Sequence, residues 1–144
     1  MFEILIAVAI LFIMASIAYP SLRDYSKTLD LKNGAKQVIG NLKLAQQYTV
    51  TEQVKYSIRI DLLANTYALY KQGDPDELIL AFELDDQVYF SQAVGLEDDE
   101  VVFNPTGAVD FSGDIYLTHQ QTGLATKISI RPSGYVTWED YVEE

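Results

Sequence analysis

The sequence ILIAVAILFIMASIAY, residues 4–19, contains no charged side chain, and Ser16 is its single polar interruption. Glu3 precedes this run and Pro20 follows it. As a helix, residues 1–19 would be roughly 28 Å long, close to the ~30 Å thickness of the hydrocarbon core of a bilayer. The run therefore predicts a helix that is able to enter a membrane, and no later segment of the chain resembles it.

Two other interpretations of this run stay open. The residues Ser16-Ile17-Ala18 resemble a signal-peptide cleavage site, although Met1-Phe2-Glu3 carries a carboxylate where a signal peptide carries positive charge. The run also suits a plain membrane anchor, in which Arg23 and the basic residues after it would mark the cytoplasmic side. That anchor would leave an acidic domain in the cytoplasm.

After the run, apolar residues recur at spacings of three and four, which is typical of an amphipathic helix. They are Leu31, Ala35, Val38, Ile39, Leu42, Ala45 and Tyr48. The opposite face carries Lys32, Lys36 and Lys43. One helix from the N-terminus to about Glu52 would be roughly 80 Å long. Pro20 lies between its apolar and amphipathic halves, and we expect a kink there because proline removes a backbone hydrogen bond and clashes with the preceding turn.

From Val54 onward the hydrophobic period changes to two, which predicts β-strands. The predicted strands are residues 54–60, 66–71, 78–84, 87–91, 101–103, 108–111, 114–118, 126–131 and 135–139. The tetrapeptide Asn104-Pro105-Thr106-Gly107 has the proline and glycine positions of a type I turn. We therefore predict an α+β fold in which the second half of a long helix packs on an antiparallel β-sheet. The expected divisions are residues 1–22 and 23–53 for the two halves of the helix, and residues 54–144 for the β region.

Charge and composition argue against several classes of function. The chain has a net charge of −11, and residues 61–144 carry only 3 basic side chains against 17 acidic ones. A body this acidic repels phosphate backbones, so we expect no nucleic-acid partner. There is no cysteine, which excludes disulfides, thiolate catalysis and thiolate metal sites. The single histidine, His119, excludes a multi-histidine metal site.

Three remaining patterns favour structure over chemistry. Asp74, Asp76 and Glu77, and also residues 97–100, offer the oxygen ligands that Ca²⁺ prefers, but neither set has EF-hand spacing and solvated acidic loops are favoured. A Ser/His/Asp catalyst on His119 is not predicted, because no serine is flanked by the glycines of a nucleophile elbow. The ten tyrosines fall mostly in predicted strands, which favours sheet packing over a ligand platform.

Glu3, Pro20 and the segment Ser21-Leu22-x-x-Tyr25 together resemble the N-terminal signature of type IV pilins and pseudopilins. In that family an apolar helix carries one glutamate near its start, and the separation of Glu3 from Pro20 matches the family's. The later part of the chain is similar, less specifically, to H-type minor pseudopilins of type II secretion and to FimT-like and competence pilins. The similar segments are VFNPTG (102–107), GDIYL (113–117), ISI (128–130) and SGYV (133–136).

Two features depart from the family pattern. The family's mature chain usually begins with an N-methylated phenylalanine four residues before the glutamate, whereas here Met1 and Phe2 precede Glu3. We expect that two residues and a basic leader are missing from this sequence, or that processing differs. The family also often has a glycine where the helix unwinds on assembly, and here residues 12–14 are phenylalanine, isoleucine and methionine. Any unwinding would then depend on Pro20.

The resemblance implies a structural subunit, not an enzyme, that is held in the cytoplasmic membrane and then polymerises through its helix into a cell-surface or extracellular filament. It assigns assembly to Phe2, Glu3 and Pro20. Glu3 would pair with the N-terminal ammonium of a neighbouring subunit, since a buried carboxylate is costly unless it is paired. The implied partners are further copies of the chain, a prepilin peptidase and the pilus assembly machinery, and no cofactor is expected.

Two alternatives remain within the superfamily. One is a minor pseudopilin of a type II secretion or competence system that primes or tips the filament. The other is a DNA-binding minor pilin, which the acidic charge of the β region disfavours. In a polymer, Lys32, Lys36 and Lys43 are expected to lie beside acidic loops of a neighbour, such as residues 97–100. The competing interpretation is that these lysines are simply solvated.

Overall fold

The computed structural model describes residues 2–141, and for residues 17–25 it describes the main chain alone. Over this range a single helix, α1 (Phe2–Glu52), precedes the strands. The strands are β1 (Tyr56–Asp61), β2 (Thr66–Lys71), β3 (Glu77–Glu83), β4 (Val88–Val94), β5 (Glu100–Phe103), β6 (Gly113–His119), β7 (Ala125–Ile130) and β8 (Val136–Tyr141). The α+β fold predicted from the sequence is confirmed.

Helix α1 follows the predicted pattern closely in its second half. Six apolar residues of the predicted stripe are buried and Tyr48 is half-buried; the six are Leu31, Ala35, Val38, Ile39, Leu42 and Ala45. The helix ends where Gln53 adopts a left-handed conformation with φ of 58°, and the Gln53 N–H donates to the Thr49 carbonyl over 3.0 Å. The kink expected at Pro20 lies where the main chain alone is described, and it stays a prediction.

The β region forms two four-stranded antiparallel sheets, and the expectation of a single sheet was wrong. Their strand orders are β3-β2-β1-β5, called sheet A, and β4-β6-β7-β8, called sheet B. Strands β3 and β4 follow each other in the chain but belong to different sheets. Helix α1 contacts strands of both sheets. Hydrophobic periodicity reveals strands but not their partners, so the sequence did not show this division.

Asn65, in the β1–β2 turn, joins the two sheets. It adopts a left-handed conformation with φ of 56°, and its side-chain nitrogen donates to the Val88 carbonyl over 2.8 Å. Its side-chain oxygen accepts from the Phe90 N–H over 3.0 Å. The amide therefore satisfies two backbone groups of β4 as a neighbouring strand would.

The predicted strand 108–111 is wrong, because only Val109 pairs there, through an isolated bridge to Phe103. The predicted turn before it forms, with the Gly107 N–H donating to the Asn104 carbonyl over 2.8 Å. Two backbone hydrogen bonds flank this bridge, from the Asn104 N–H to the Ala108 carbonyl at 2.9 Å and from the Asp110 N–H to the Val102 carbonyl at 3.0 Å. The Val109 N–H points away from β5 and donates to the Pro132 carbonyl over 3.2 Å. The pairing of this segment with β5 is limited to the one bridge.

Two turns cross closely where the β region meets the helix. A Cβ atom built on Gly134, whose φ is +78°, would lie 2.0 Å from the Gly107 carbonyl oxygen. The Gln46 side-chain nitrogen donates to the carbonyls of Gly107 and Gly134, at 2.6 and 3.3 Å. Glycine is required at position 134 because any side chain would overlap the facing turn.

Candidate assembly surfaces

The first half of α1 exposes its apolar side chains around the whole helix. Residues 2–16 are all exposed, with Phe2 81%, Leu11 65% and Phe12 73% accessible. A helix that is apolar on every face needs cover from lipid or protein. Among the described residues, no helix meets the combined length and hydropathy expected of a membrane span.

Phe2 and Glu3, which the resemblance assigned to assembly, lie together at the free end of this helix. Glu3 is in the first helical turn and its side chain is exposed. A carboxylate in the first turn is stabilised by the positive end of the helix dipole. The side chain of Pro20, the third assigned residue, lies outside the described part of the chain.

Lys32, Lys36 and Lys43 lie on the side of α1 that faces β8. Lys36 and Lys43 are exposed, and the half-buried Lys32 places its Nζ 6.0 Å from the ring centre of Trp138. Lys36 and Lys43 border a groove of about 420 Å³ between α1 and β8, which we call the lysine groove. Gly40 lines it, and a Cβ atom on Gly40 would meet no other atom within 4 Å. None of the three lysines forms an ion pair with a described residue.

Arg59 connects the two acidic segments, residues 74–77 and residues 97–100. Its Nη2 contacts Asp76, its Nε donates to Glu100 Oε1 over 2.9 Å, and its guanidinium lies 4.4 Å from the ring centre of Tyr70. Two contacts lower the pKa of Asp76. The larger effect comes from the hydrogen bond donated by the Gly73 N–H, and the smaller from the contact with Arg59. Among the described side chains, no group of three carboxylates or histidines is arranged to hold a metal ion.

This contact divides the acidic segments into paired and exposed members. Glu100 is held within the subunit by Arg59, whereas Glu97 and Asp98 are exposed. Of residues 97–100, these two carboxylates are therefore the better candidates for the predicted contact with a neighbour. Asp74 and Glu77 are exposed as well.

His119 has a structural environment at the end of β6. Its side chain is only 1% accessible, and its Nδ1 accepts from the Gln121 N–H over 3.1 Å. Its Nε2 lies 3.8 Å from Asp30 Oδ2 on α1. The ring thus holds the β6–β7 turn beside the helix.

Several of the tyrosines in the strands pack within the sheets, as predicted. Tyr56 and Tyr67 are buried, and Tyr67 stacks on Phe82 with ring centres 5.1 Å apart. Tyr116 meets Tyr141 edge-on, also at 5.1 Å. Tyr89 and Tyr135 are exceptions, since they are 37% and 65% accessible.

The sequence did not identify Arg59 as a connecting residue or β3 as an open sheet edge. Arg59 sits in an alternating strand like any other outward-facing polar residue. The apolar side chains of β3 looked like core, yet Leu78 is 55% and Leu80 is 40% accessible. The one available signal was the acidic sequence on both sides of β3, at residues 74–77 and 83–86.

Known proteins share this architecture at low sequence identity. No protein-family model matches the chain, and no curated protein sequence matches it. The minor pseudopilin EpsH of the type 2 secretion system of Vibrio cholerae matches with a TM-score of 0.66 and 11% identity, over 77% of this chain and 97% of EpsH. The type IV minor pilin FimU of Pseudomonas aeruginosa matches with a TM-score of 0.65 and 13% identity, over 80% of this chain and 92% of FimU. The chain therefore has the type IV pilin-like fold.

Proposed function

We propose that the chain is a structural subunit of a type IV pilus-like filament, held in the cytoplasmic membrane before assembly and polymerised through α1. The observation that carries the proposal is the exposed apolar half of α1. Ten large apolar side chains between Phe2 and Met14 are 48 to 81% accessible. At about 1.5–3 kcal/mol for each fully buried side chain, covering them is worth on the order of 10 kcal/mol or more. In this function, lipid covers the apolar side chains of α1 before assembly, and the helices of neighbouring subunits cover them in the filament.

In this proposal, residues 1–22 enter the membrane and then the filament core, and residues 23–53 attach that segment to the β region, residues 54–144. Glu3 pairs with the N-terminal ammonium of a neighbour and so sets the stagger between adjacent helices. Phe2 packs beside this pair, and Pro20 provides the bend between the two halves. The exposed position of Glu3 in the first turn supports the pairing.

The lysine groove is the proposed electrostatic contact between subunits. Lys32, Lys36 and Lys43 would face exposed carboxylates of a neighbour, among them Glu97 and Asp98. The proposal is supported by the lack of any ion pair from these lysines to a described residue. Attraction at this contact would offset repulsion between acidic β regions that are crowded together in a polymer.

A second candidate is a minor subunit that primes or tips a pilus, pseudopilus or competence filament. It is favoured by the comparisons, since EpsH is a minor pseudopilin and FimU is a minor pilin. The DNA-binding alternative has less support, because Lys71 and Lys127 already pair with Glu52 and Glu139 at 2.7 and 2.6 Å.

Glu3→Ala tests the filament proposal. We expect the variant to accumulate in the membrane at the wild-type level but to be depleted from sheared surface filaments, because the unpaired ammonium of a neighbour would be buried. Asp86→Ala, which removes an exposed carboxylate from the β region, is the matched control and should assemble normally. Equal filament fractions for wild type and Glu3→Ala would contradict the proposal. The share of this chain in wild-type filaments separates a major subunit from a minor one.

Reversal of all three lysines to glutamate tests the groove. No single exposed pair is worth more than about 1 kcal/mol, so the three are changed together. The triple variant should assemble poorly at low salt, while the domain of residues 24–144, which contains the three lysines, keeps its melting temperature. Unchanged filament yield at low salt would refute the contact, and a lowered melting temperature would show that the lysines act within the subunit.

A further inference from the structure

Strand β3 is an exposed edge strand of sheet A, and of its backbone groups the Glu83 carbonyl accepts from the Gln37 side chain of α1 over 3.0 Å. The other edge of sheet A, β5, is followed by the bridge between Phe103 and Val109. In sheet B, β4 is bonded by the Asn65 amide, and β8 packs beside α1. On β3, five of the seven residues are exposed, and only Ile79 and Phe82 are half-buried. An exposed edge presents unpaired backbone groups that bind another strand.

The side chains of β3 also suit strand pairing. Leu78 and Leu80 are 55% and 40% accessible, which is unusual for an edge protected against pairing. The register between β2 and β3 shifts between Leu78 and Leu80, so Ile79 has no partner in β2. From Leu80 to Glu83 the pairing with β2 is regular. Residues 80–82 are the template for a further strand, because the Glu83 carbonyl already accepts from Gln37.

Negative charge surrounds this edge. Glu77 and Glu83 begin and end β3, and Asp74, Asp85 and Asp86 are exposed beyond them. No lysine or arginine occurs between residues 72 and 86. The nearby Arg59 is already engaged by Asp76 and Glu100. Lys71 lies opposite Glu77 on β2, and its Nζ pairs with Glu52 at 2.7 Å. A partner that approaches this edge therefore meets carboxylates at both ends of the strand.

The same charges disfavour pairing between two copies of β3. A symmetric antiparallel pair centred on Leu80 would place Glu77 opposite Glu83 twice, and Asp74 opposite Asp86 twice. A parallel pair in register would place each glutamate opposite its own copy. Like charges directly opposite each other destabilise a strand pair, so the edge selects against its own copies.

We infer that β3 binds an extended strand from a different polypeptide, which has an apolar centre and lysine or arginine at both ends. The backbone of β3 supplies the ladder of hydrogen bonds, and Glu77 and Glu83 select the basic flanks. Leu80 supplies apolar contact on one face of the sheet and Leu78 on the other. This interaction is independent of whether α1 polymerises, so it stands or falls separately from the filament proposal.

The test uses the full chain, isotope-labelled in detergent micelles, and a synthetic peptide with an alternating threonine–valine core and two lysines at each end. The matched control peptide carries glutamates in place of the lysines. We expect the lysine peptide to slow amide hydrogen exchange at residues 77–83 and to bind about tenfold or more tightly than the glutamate peptide. That preference should shrink at about 0.5 M salt.

Leu80→Lys tests the site itself, because an added lysine repels the flanking lysines and removes an apolar contact. Binding should weaken about tenfold or more, whereas Leu63→Lys, at a fully exposed leucine in the β1–β2 turn, should bind as wild type does. Leu78→Lys, at the more exposed leucine, serves if Leu80→Lys lowers the melting temperature. Protection on another strand, equal binding of the two peptides, or no binding at millimolar peptide would overturn the inference. Cross-links between β3 strands of two copies without peptide would also overturn it.

Discussion

Gly134→Ala is expected to lower the free energy of unfolding by about 2 to 5 kcal/mol. With φ at +78°, alanine at this position costs about 1–2 kcal/mol in backbone conformation. Its Cβ would lie 2.0 Å from the Gly107 oxygen and 2.5 Å from the Gln46 side-chain nitrogen, so the two turns have to separate. Separation breaks the hydrogen bonds of Gln46 to both turns, each worth about 0.5–1.5 kcal/mol.

Two other glycines separate these contributions. Gly123→Ala has a similar φ of +67° but no atom within 4 Å of its Cβ, so it should cost only about 1–2 kcal/mol of backbone strain. Gly40→Ala lies in α1 with open space around it and should raise stability by about 1 kcal/mol, because alanine favours the helix.

The measurement is urea unfolding of the full chain in micelles, followed by the fluorescence of Trp138, the single tryptophan. The difference between the losses for Gly134→Ala and Gly123→Ala isolates the cost of pushing the turns apart. Equal losses for the two variants would mean that the close crossing at Gly107 does not constrain the fold.

Three further predictions concern single side chains. Ser57 Oγ is buried without a hydrogen-bond partner among the described residues, so Ser57→Ala should leave the free energy of unfolding unchanged or raise it by about 1 kcal/mol; a clear loss would contradict this. Asn65→Ala removes two hydrogen bonds to β4 and should cost about 1–3 kcal/mol and speed amide exchange at Phe90; unchanged exchange there would count against the edge role. The pKa of Asp76 is lower in the folded chain than in the unfolded chain, so as the pH falls the unfolded chain binds a proton at Asp76 first. The ionised Asp76 therefore stabilises the fold above the unfolded pKa, near 4, and this stabilisation is lost as the pH falls through the folded pKa. Asp76→Asn should therefore flatten the loss of stability in unfolding curves between about pH 5 and pH 2, and an unchanged slope would refute that role.

Local periodicity predicted the helix and most strands because each depends on neighbouring residues. Leu42 and Ala45 recur at the helical spacing and are buried as predicted, and the alternation around Ile58 marks a strand with its apolar side inward. The error at residues 108–111 has a different origin. Alternation there is real, but the segment pairs with β5 through a single bridge, between Phe103 and Val109, so it is not a strand.

The candidate surfaces also include features that the sequence predicts and features that depend on the fold. The apolar run and the lysines of α1 are visible in the sequence, since one helix alone determines which residues share its faces. That Arg59 holds Asp76 and Glu100, leaving Glu97 and Asp98 exposed, depends on strands that meet only in the folded chain.

Helical and strand periods are properties of short segments, so the sequence alone predicts a long helix, apolar and then amphipathic, ahead of an acidic antiparallel β region. Contacts between distant segments divide the strands into two sheets, place Gly107 and Gly134 across each other under Gln46, and leave β3 as an exposed edge. Pairing between strands is a contact between distant segments. It is selected by the packing of both sheets against one helix, and no single segment of the sequence carries that information.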